Sequence, residues 1–145
     1  MADGKGVSDV ATPSATSFGV HETRRLVIIT MAGVITLDEW ANTVTWQIEN
    51  NLWSWASLYD LSEADSFPCL EHDFLDDMKR FVSDLSRVCG MRGPVAIIVP
   101  HRLLDRYRRQ FDAYGDATPY VFEVFTDSET AQLWLAGATD RKVRI

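Results

Sequence analysis

Residues 93–111, GPVAIIVPHRLLDRYRRQF, decide the fold class because they join a buried strand directly to an amphipathic helix. The opening glycine and proline predict a turn, and the unbroken apolar run 95–99 predicts a strand covered on both faces of its sheet. Pro100 ends that strand. Leucine and aromatic residues then recur at helical spacing until Gly115, which is typical of a helix C-terminus. The stretch therefore predicts an α/β domain with a largely parallel sheet.

The rest of the chain continues this alternation of strands and helices. Short β-branched or aromatic runs predict strands, and three-and-four spacing of apolar residues predicts helices, while Gly33 is interpreted as a turn. The predicted strands cover 17–22, 25–30, 56–60, 95–99 and 120–125, and the predicted helices cover 36–49, 68–89, 101–114 and 126–136. The resulting order, β-β-α-β-α-β-α-β-α, predicts a single α/β domain whose mostly parallel, mixed sheet begins with an antiparallel hairpin and has helices packed on it.

Two Thr-x-x-Glu patterns predict where helices begin. Thr36 and Glu39 form a capping box, in which the threonine hydroxyl accepts from the backbone N–H of Glu39 and the carboxylate accepts from the N–H of Thr36. Thr126 and Glu129 repeat this spacing before the last helix. The inward stripe of the long helix is predicted to comprise Leu70, Phe74, Met78, Phe81, Leu85 and Val88.

The composition excludes several function classes. The chain has 145 residues and a net charge of −7, which disfavours a nucleic-acid partner. No apolar run approaches the ~20 residues of a membrane span, and the first residues have no hydrophobic segment fit for export. We therefore expect a cytoplasmic protein. Residues 1–16 are expected to form a disordered leader, 17–137 the domain, and 138–145 a C-terminal tail.

Cys69 and Cys89 are too few for a disulfide framework. They lie at opposite ends of the predicted long helix, which separates them by roughly 30 Å at ~1.5 Å per residue, whereas a disulfide requires Cα atoms within ~7 Å. We predict two unpaired cysteines that behave as small hydrophobes.

Four features together resemble the STAS domain of the SpoIIAA-like anti-sigma-factor antagonists. They are the glycine before the first helix, YDLSEADS after the third strand, GPVAIIV as the fourth strand, and VFEVFTDSETAQLWL at the end of the domain. The resemblance covers residues 17–137. It implies a SpoIIAA/STAS-like fold and a regulatory role in protein binding. The same fold group resembles lipid-binding Sec14-type domains.

The resemblance also bears on a phosphorylation switch. In the phosphorylated members of that family the strand is followed by Asp-Ser-Ser/Thr-Gly, and the second hydroxyl residue accepts the phosphate. Here the aligned residues are Asp65, Ser66, Phe67 and Pro68, so a phenylalanine stands where the acceptor belongs. Ser66 or Ser62 is an alternative acceptor, since a helix N-terminus accommodates an added phosphate. We expect no switch, and expect residues 60–69 to form an ordered corner with Ser66 capping or leading into the long helix and Phe67 partly buried.

Ligands of open parallel sheets usually bind outside the carboxyl ends of the strands. Asp60, Ser62, Ser66 and His101 are expected to converge there. An aspartate at such a place is also found in phosphorylated receiver domains, but this chain lacks their Mg²⁺-binding acidic pair and their lysine. Asp60 and His101 are candidates for an acid/base pair of a hydrolase, although no nucleophile motif accompanies them. We predict no catalytic residue, no metal site and no cofactor.

Two further features indicate partner binding. Arg102, Arg106 and Arg109 follow i, i+4 and i+7 spacing, so they share one helix face. This face is interpreted either as a solvated surface paired with neighbouring aspartates or as a site for an acidic partner or an anionic ligand. Trp46, Trp53 and Trp55 cluster before the third strand and are candidates for interface anchors.

The candidate binding residues are therefore Asp60, Ser62, Asp65, Ser66, His101, Arg102, Arg106, Arg109, Trp46, Trp53 and Trp55. The predicted function is a non-enzymatic, STAS-type protein-interaction or regulatory module that binds a protein partner or a second copy of itself. The alternative is a carrier or sensor of a small apolar or anionic ligand, by resemblance to Sec14-type lipid binding. A roomy apolar pocket would favour the carrier, and a filled core with exposed aromatic residues would favour the interaction module.

Overall fold

A computed structural model of the chain describes residues 14–71 and 74–143. Five strands form one sheet in the order β1-β2-β3-β4-β5. The first pair is antiparallel and the three following pairs are parallel, as predicted. The strands are β1 (Ser14–His21), β2 (Leu26–Val34), β3 (Ala56–Ser66), β4 (Val95–Ile98) and β5 (Phe122–Phe125).

The described helices follow the predicted order, with one addition. A short 3₁₀ turn, Pro68–Leu70, precedes the second α-helix. The α-helices are α1 (Leu37–Glu49), α2 (Phe74–Cys89), α3 (His101–Ala117) and α4 (Ser128–Val143). The predicted α/β fold class and element order are therefore confirmed.

The sheet is covered on both faces. Alternate residues of β2 point to opposite sides: Val27 and Ile29 belong to the main core with α1, α2 and α3, whereas Leu26 packs with α4. All four residues of β4 are buried, which confirms the doubly covered strand predicted from its unbroken apolar run. Helix α4 contributes Ala131 and Leu135 to the smaller core.

Strand β3 is longer than predicted. Its apolar run stops at Asp60, but the strand continues to Ser66. Asp60 is the last residue that pairs with β4, opposite Ile98, and from there β3 pairs with the extended end of β2 alone. Polar residues appear after Asp60 because one neighbouring strand has ended, not because the strand has. Gly33 lies within β2, at a register irregularity with φ of 86°, so the predicted turn at Gly33 is wrong.

The predicted long helix is interrupted. Pro68 begins a 3₁₀ turn, as its missing N–H allows, and α2 begins at Phe74. Met78 is buried, but Val88 is 84% exposed, so its place in the predicted stripe is wrong. Val82, which was not in the predicted stripe, is fully buried. The side chain of Phe74 lies outside the described residues.

The observed helix ends can be compared with the capping signals predicted from the sequence. The capping box of Thr36 and Glu39 is present in full and confirmed. Asp127 rather than Thr126 caps α4, because its Oδ1 accepts from the Thr130 backbone N–H at 2.8 Å. Helix α3 continues past Gly115 to Ala117.

Two elements extend past the expected domain boundaries. Strand β1 begins at Ser14 and α4 runs to Val143. The first thirteen residues of the expected leader lie outside the described residues.

Both cysteines are unpaired, as predicted. Cys69 is buried, and burial raises the pKa of its thiol to about 12, so it behaves as a small hydrophobe. Cys89 is exposed, which differs from the prediction of a hydrophobic role.

Candidate functional site

Asp60 and Ser62 are joined by hydrogen bonds at the point where β4 stops pairing with β3. The Asp60 carboxylate Oδ1 accepts from the Ser62 backbone N–H at 3.1 Å and from the Ser62 hydroxyl at 2.7 Å. These two hydrogen bonds within β3 occupy one of the two oxygens of the Asp60 carboxylate. His101 is exposed at the first position of α3. Within residues 14–71 and 74–143, no hydrogen bond or ion pair joins His101 to Asp60, so the acid/base pair considered from the sequence is not assembled.

The first turns of α3 hold the far end of β3. Arg102 donates to the backbone carbonyls of Ala64 at 3.2 Å and Asp65 at 3.4 Å. Arg106, one turn later, lies 3.7 Å from the Glu71 carboxylate. Two of the three predicted face arginines are therefore engaged, Arg102 with the end of β3 and Arg106 with Glu71 in the segment that follows it. Arg109 makes no hydrogen bond or ion pair with the described part of the chain and is exposed.

Tyr107 of α3 is buried and connects this helix to the residues that follow β3. Its hydroxyl donates to the Glu71 carboxylate at 2.6 Å and accepts from the Phe67 backbone N–H at 3.4 Å. Burial, together with the hydrogen bond to Glu71, raises the pKa of Tyr107, so the phenol stays protonated at neutral pH. Tyr107 also departs from helical geometry, with φ of −111° and ψ of 17°, which marks a kink in α3.

Phe67 fills the position where the resemblance would place a phosphate acceptor. Its side chain is only 1% exposed and makes edge-to-face contacts with the rings of Tyr107 and Phe111, at centroid distances of 5.5 Å and 5.6 Å. The burial of Phe67 is therefore more complete than predicted. Ser66 is the last residue of β3 and leads into the 3₁₀ turn, which is one of the two roles predicted for it; the cap position of that turn is Phe67, so Ser66 does not have the other predicted role, capping.

The exposed side chains of the end of β3 and of α3 are the candidate site, bordered by the partly exposed Asp60 and Ser66. We call it the corner surface, and it comprises Ser62, Glu63, Asp65, His101, Arg102, Arg106 and Arg109.

The three clustered tryptophans have different surroundings. Trp46 is partly covered because Phe18 of β1 stacks on it with a centroid distance of 4.0 Å. Trp55 is also half-buried, and the Arg25 guanidinium lies 5.0 Å from its ring. Trp53 is 6% exposed and donates its indole N–H to the Gly90 carbonyl at 2.9 Å. Trp53 is a core residue, and its prediction as an interface anchor is corrected accordingly.

A buried arginine, Arg92, was missed by the sequence analysis. It is 2% exposed. Its Nη2 donates to Gln47 Oε1 at 2.7 Å and to the Tyr59 hydroxyl at 3.3 Å, and its Nη1 donates to the Tyr120 hydroxyl at 3.2 Å. The guanidinium carbon lies 4.9 Å from the Trp53 ring centroid and 5.0 Å from that of Tyr120. We call these residues the Arg92 cluster.

The turn before β4 explains how Arg92 is held inside. The Gly93 N–H donates to the Trp53 carbonyl at 3.1 Å, and a Cβ at position 93 would collide with the Trp55 carbonyl oxygen. This close approach requires glycine and fixes the direction of the preceding side chain. The sequence carried no signal for this burial, because an arginine between two glycines normally indicates an exposed turn.

A small cavity adjoins the Arg92 cluster. Its volume is about 40 Å³, and Arg92, Tyr59, Tyr114 and Tyr120 contribute to walls that are otherwise mainly apolar. It is not the roomy pocket that would favour a lipid carrier. The described residues hold no group of three or more potential metal ligands. None of the helices in that part of the chain is long and apolar enough to cross a membrane.

Comparison with known proteins supports the fold. No family model matches the sequence. No curated protein sequence matches it either. A crystal structure of a DUF3478-family protein with a SpoIIAA-like fold from Shewanella loihica PV-4 is 21% identical with a TM-score of 0.56, covering 90% of this chain and 99% of that one. A crystal structure of an anti-sigma factor antagonist from Mycobacterium paratuberculosis is 11% identical with a TM-score of 0.56. The match covers 89% of this chain and 99% of that one. The chain therefore has a SpoIIAA-like fold.

Proposed function

We propose that this chain is a non-enzymatic regulatory module that binds a protein partner through the corner surface, in the cytoplasm and without a phosphorylation switch. The observation that carries the proposal is the attachment of the end of β3 to α3. Arg102 binds two backbone carbonyls there, and the Tyr107 hydroxyl bridges Phe67 and Glu71. A surface held in one conformation before binding loses little conformational entropy when a partner docks.

The absence of a switch is supported by the position of Phe67. A phosphate acceptor has to be accessible to a kinase, whereas Phe67 is enclosed between Tyr107 and Phe111. Ser66 stands next to it and is partly exposed, but its neighbours on both sides are tied to α3. These contacts favour a surface that binds constitutively.

The charge of the corner surface indicates the chemistry of the partner. Arg109 is exposed and without an ion pair among the described residues, as is the neighbouring Arg108. The three arginines of the corner surface outnumber its two exposed carboxylates, Glu63 and Asp65, and this excess of positive charge favours an acidic segment as the partner.

Affinity capture from host extract tests the corner surface. We expect Arg109→Glu to reduce capture of a specific protein at least tenfold, and binding of that protein to weaken as salt is raised from 50 to 300 mM, about the range over which surface charges become screened. Arg80→Glu is the matched control, since Arg80 is an exposed helical arginine on α2 whose pair is the local Asp77. Equal capture by wild type and Arg109→Glu would contradict the proposed surface.

Phosphosite mapping tests the proposed lack of a switch. After incubation with ATP and host extract, we expect no stoichiometric phosphate on Ser62 or Ser66. Stoichiometric phosphate on Ser66, with partner binding lost in Ser66→Asp and kept in Ser66→Ala, would restore the switch.

A second copy of the chain is the alternative partner. Light scattering coupled to size exclusion distinguishes a homodimer from a monomer directly.

A further inference from the structure

Strand β5 forms one edge of the sheet, and none of the described strands pairs with its outer side. On its inner side, backbone N–H groups of the segment that contains β4 donate to the carbonyls of Val121 and Phe125, at 2.9 Å in both cases. Because successive residues of a strand direct their backbone groups to opposite sides, the N–H and C=O groups of Phe122 and Val124 point outward. These backbone groups are therefore available to an added strand.

Helix α3 lies beside this edge, and the two elements form the walls of a groove with a volume of about 350 Å³. Residues 122–124 of β5 form one wall, and the α3 wall comprises Leu104, Arg108, Phe111, Asp112, Gly115 and Asp116. From Leu104 to Asp116 the helix rises by ~18 Å, which is the length of about five residues of extended chain. The groove therefore has room for a short peptide in the conformation of a strand.

The groove presents apolar side chains to whatever lies in it. Leu104, Phe122 and Val124 line it and are partly exposed. A Cβ at position 115 would lie 3.1 Å from the Phe122 ring, so Gly115 allows the helix and the strand to approach closely there. Side chains of an added strand alternate between the two faces of the sheet, so every second one can contact these apolar residues.

Negative charge predominates along the groove. Asp112, Asp116 and Glu123 contribute three exposed carboxylates, against the one guanidinium of Arg108. None of the three carboxylates has a hydrogen bond or ion pair within the part of the chain that the structure describes. A second copy of the chain that added its own β5 would bring like charges together, which is unfavourable. The charge therefore favours a basic segment.

We propose that the groove between α3 and β5 binds a basic segment of a partner protein in extended conformation, which adds to the sheet as a strand beside β5. The outward backbone groups of Phe122 and Val124 hydrogen-bond to the added strand, and the carboxylates of the groove select its lysine or arginine side chains. None of the corner-surface residues lines this groove, so the two proposals fail separately.

Titration of the protein with a model peptide, followed by NMR, tests the groove. The probe is the pentapeptide Lys-Val-Lys-Val-Lys, blocked at both ends, at low salt. We expect it to shift the backbone amide signals of Phe122 and Val124 saturably. Strand β1, the opposite edge of the same sheet, is the internal control, and its amide signals are expected to stay unchanged. A response at β1 instead of β5, or no saturable response at β5, would overturn the proposal.

Matched peptides separate the charge from the backbone pairing. We expect Glu-Val-Glu-Val-Glu to bind more weakly than the basic peptide by a factor on the order of ten or more. Two further peptides carry N-methyl groups on the valines or on the lysines. Only alternate amides of an added strand face β5, so one of the two forms is expected to lose binding. Equal binding of the acidic peptide, or full binding of both N-methylated forms, would contradict strand addition by a basic segment.

Variants locate the binding groups. The double variant Asp116→Lys, Glu123→Lys is expected to weaken binding of the basic peptide at least about tenfold. Asp105→Lys is the matched control, because Asp105 is an exposed aspartate of α3 that does not line the groove. Unchanged binding by the double variant, or an equal loss in Asp105→Lys, would show that the groove carboxylates do not select the peptide.

A proline tests the strand edge itself. Val124→Pro removes one outward N–H and leaves the hydrogen bonds to β4 in place, as edge strands allow. We expect it to abolish peptide binding. If Val124→Pro does not fold, the N-methylated peptides decide the question on the wild-type protein. A homodimer that Val124→Pro converts to a monomer would assign this edge to a second copy of the chain and overturn the proposal.

Discussion

Arg92 and Arg102 both attach one segment of this chain to another, but in opposite surroundings. Arg92 is buried and donates to the side chains of Gln47, Tyr59 and Tyr120, which come from three separate elements or loops. Arg102 is exposed and donates to two adjacent backbone carbonyls of β3. The two arginines form comparable numbers of hydrogen bonds.

The difference lies in what happens when each contact is lost. Losing the Arg102 contacts costs less, since its guanidinium is exposed and water can reach the carbonyl of the exposed Asp65, although Ala64 is buried. Water cannot easily reach the acceptors of Arg92, and the removed side chain also leaves an empty volume against Trp53 and Tyr120. Burial, rather than the number of hydrogen bonds, therefore sets the energetic importance of each arginine.

The largest expected effect compares the buried Arg92 with an exposed arginine, Arg109. Arg92→Ala should lower the free energy of unfolding by about 2–5 kcal/mol, the range for truncating a long buried side chain. Urea unfolding followed by tryptophan fluorescence measures it. Arg109→Ala, an exposed control, should change stability by less than about 0.5 kcal/mol. A loss below 1 kcal/mol for Arg92→Ala, similar to that of an exposed arginine, would show that the comparison is wrong.

An intermediate effect is expected in alkaline solution. Because the pKa values of Tyr114 and Tyr120 are raised in the folded chain, the unfolded chain loses these protons first, near pH 10.0. Stability should therefore be fully present below about pH 10 and fall as pH rises further. Unfolding free energies measured in urea between about pH 8 and 11 should show a smaller decline for Tyr114→Phe than for wild type. Parallel declines would mean that Tyr114 titrates freely in the folded state.

The smallest effect is expected at the corner surface. Arg102→Ala should reduce the free energy of unfolding by about 0.5 kcal/mol, since solvent-exposed hydrogen bonds and charges contribute little. The backbone amide of Ser66 should nevertheless exchange with solvent faster, because the end of β3 loses its attachment to α3. Hydrogen exchange by NMR, with amides of β4 as reference, measures this. A large global loss of stability would indicate that the corner is part of the core.

The sequence predicted what depends on local pattern. The unbroken apolar run of β4 predicted a buried strand, and the capping box of Thr36 and Glu39 predicted the start of α1. Both predictions succeeded because each signal lies within a few residues. The end of β3 depends on how far β2 extends beside it, which its own residues do not encode. For the same reason the prediction stopped β3 at Asp60.

In the candidate site, too, the features that depend on local sequence were predicted and those that depend on the tertiary fold were not. The arginine face of α3 followed from helical spacing, and Phe67 was predicted to be partly buried. The burial of Arg92 depends on residues 47, 53, 59 and 120, which only the tertiary fold brings together. A turn sequence of Met-Arg-Gly-Pro gives no indication of it.

The second half of β3 also bears on aggregation. Beyond Asp60, none of the described strands pairs with β3 on the side of β4, and an unpaired strand edge is a template on which another chain can add a strand. The Arg102 guanidinium lies at this stretch and donates hydrogen bonds to the carbonyls of Ala64 and Asp65. An added strand would need backbone acceptors in the same stretch. Charged side chains at such edges oppose strand addition. We therefore expect Arg102, which contributes little to folding stability, to oppose the addition of a strand at this stretch of β3.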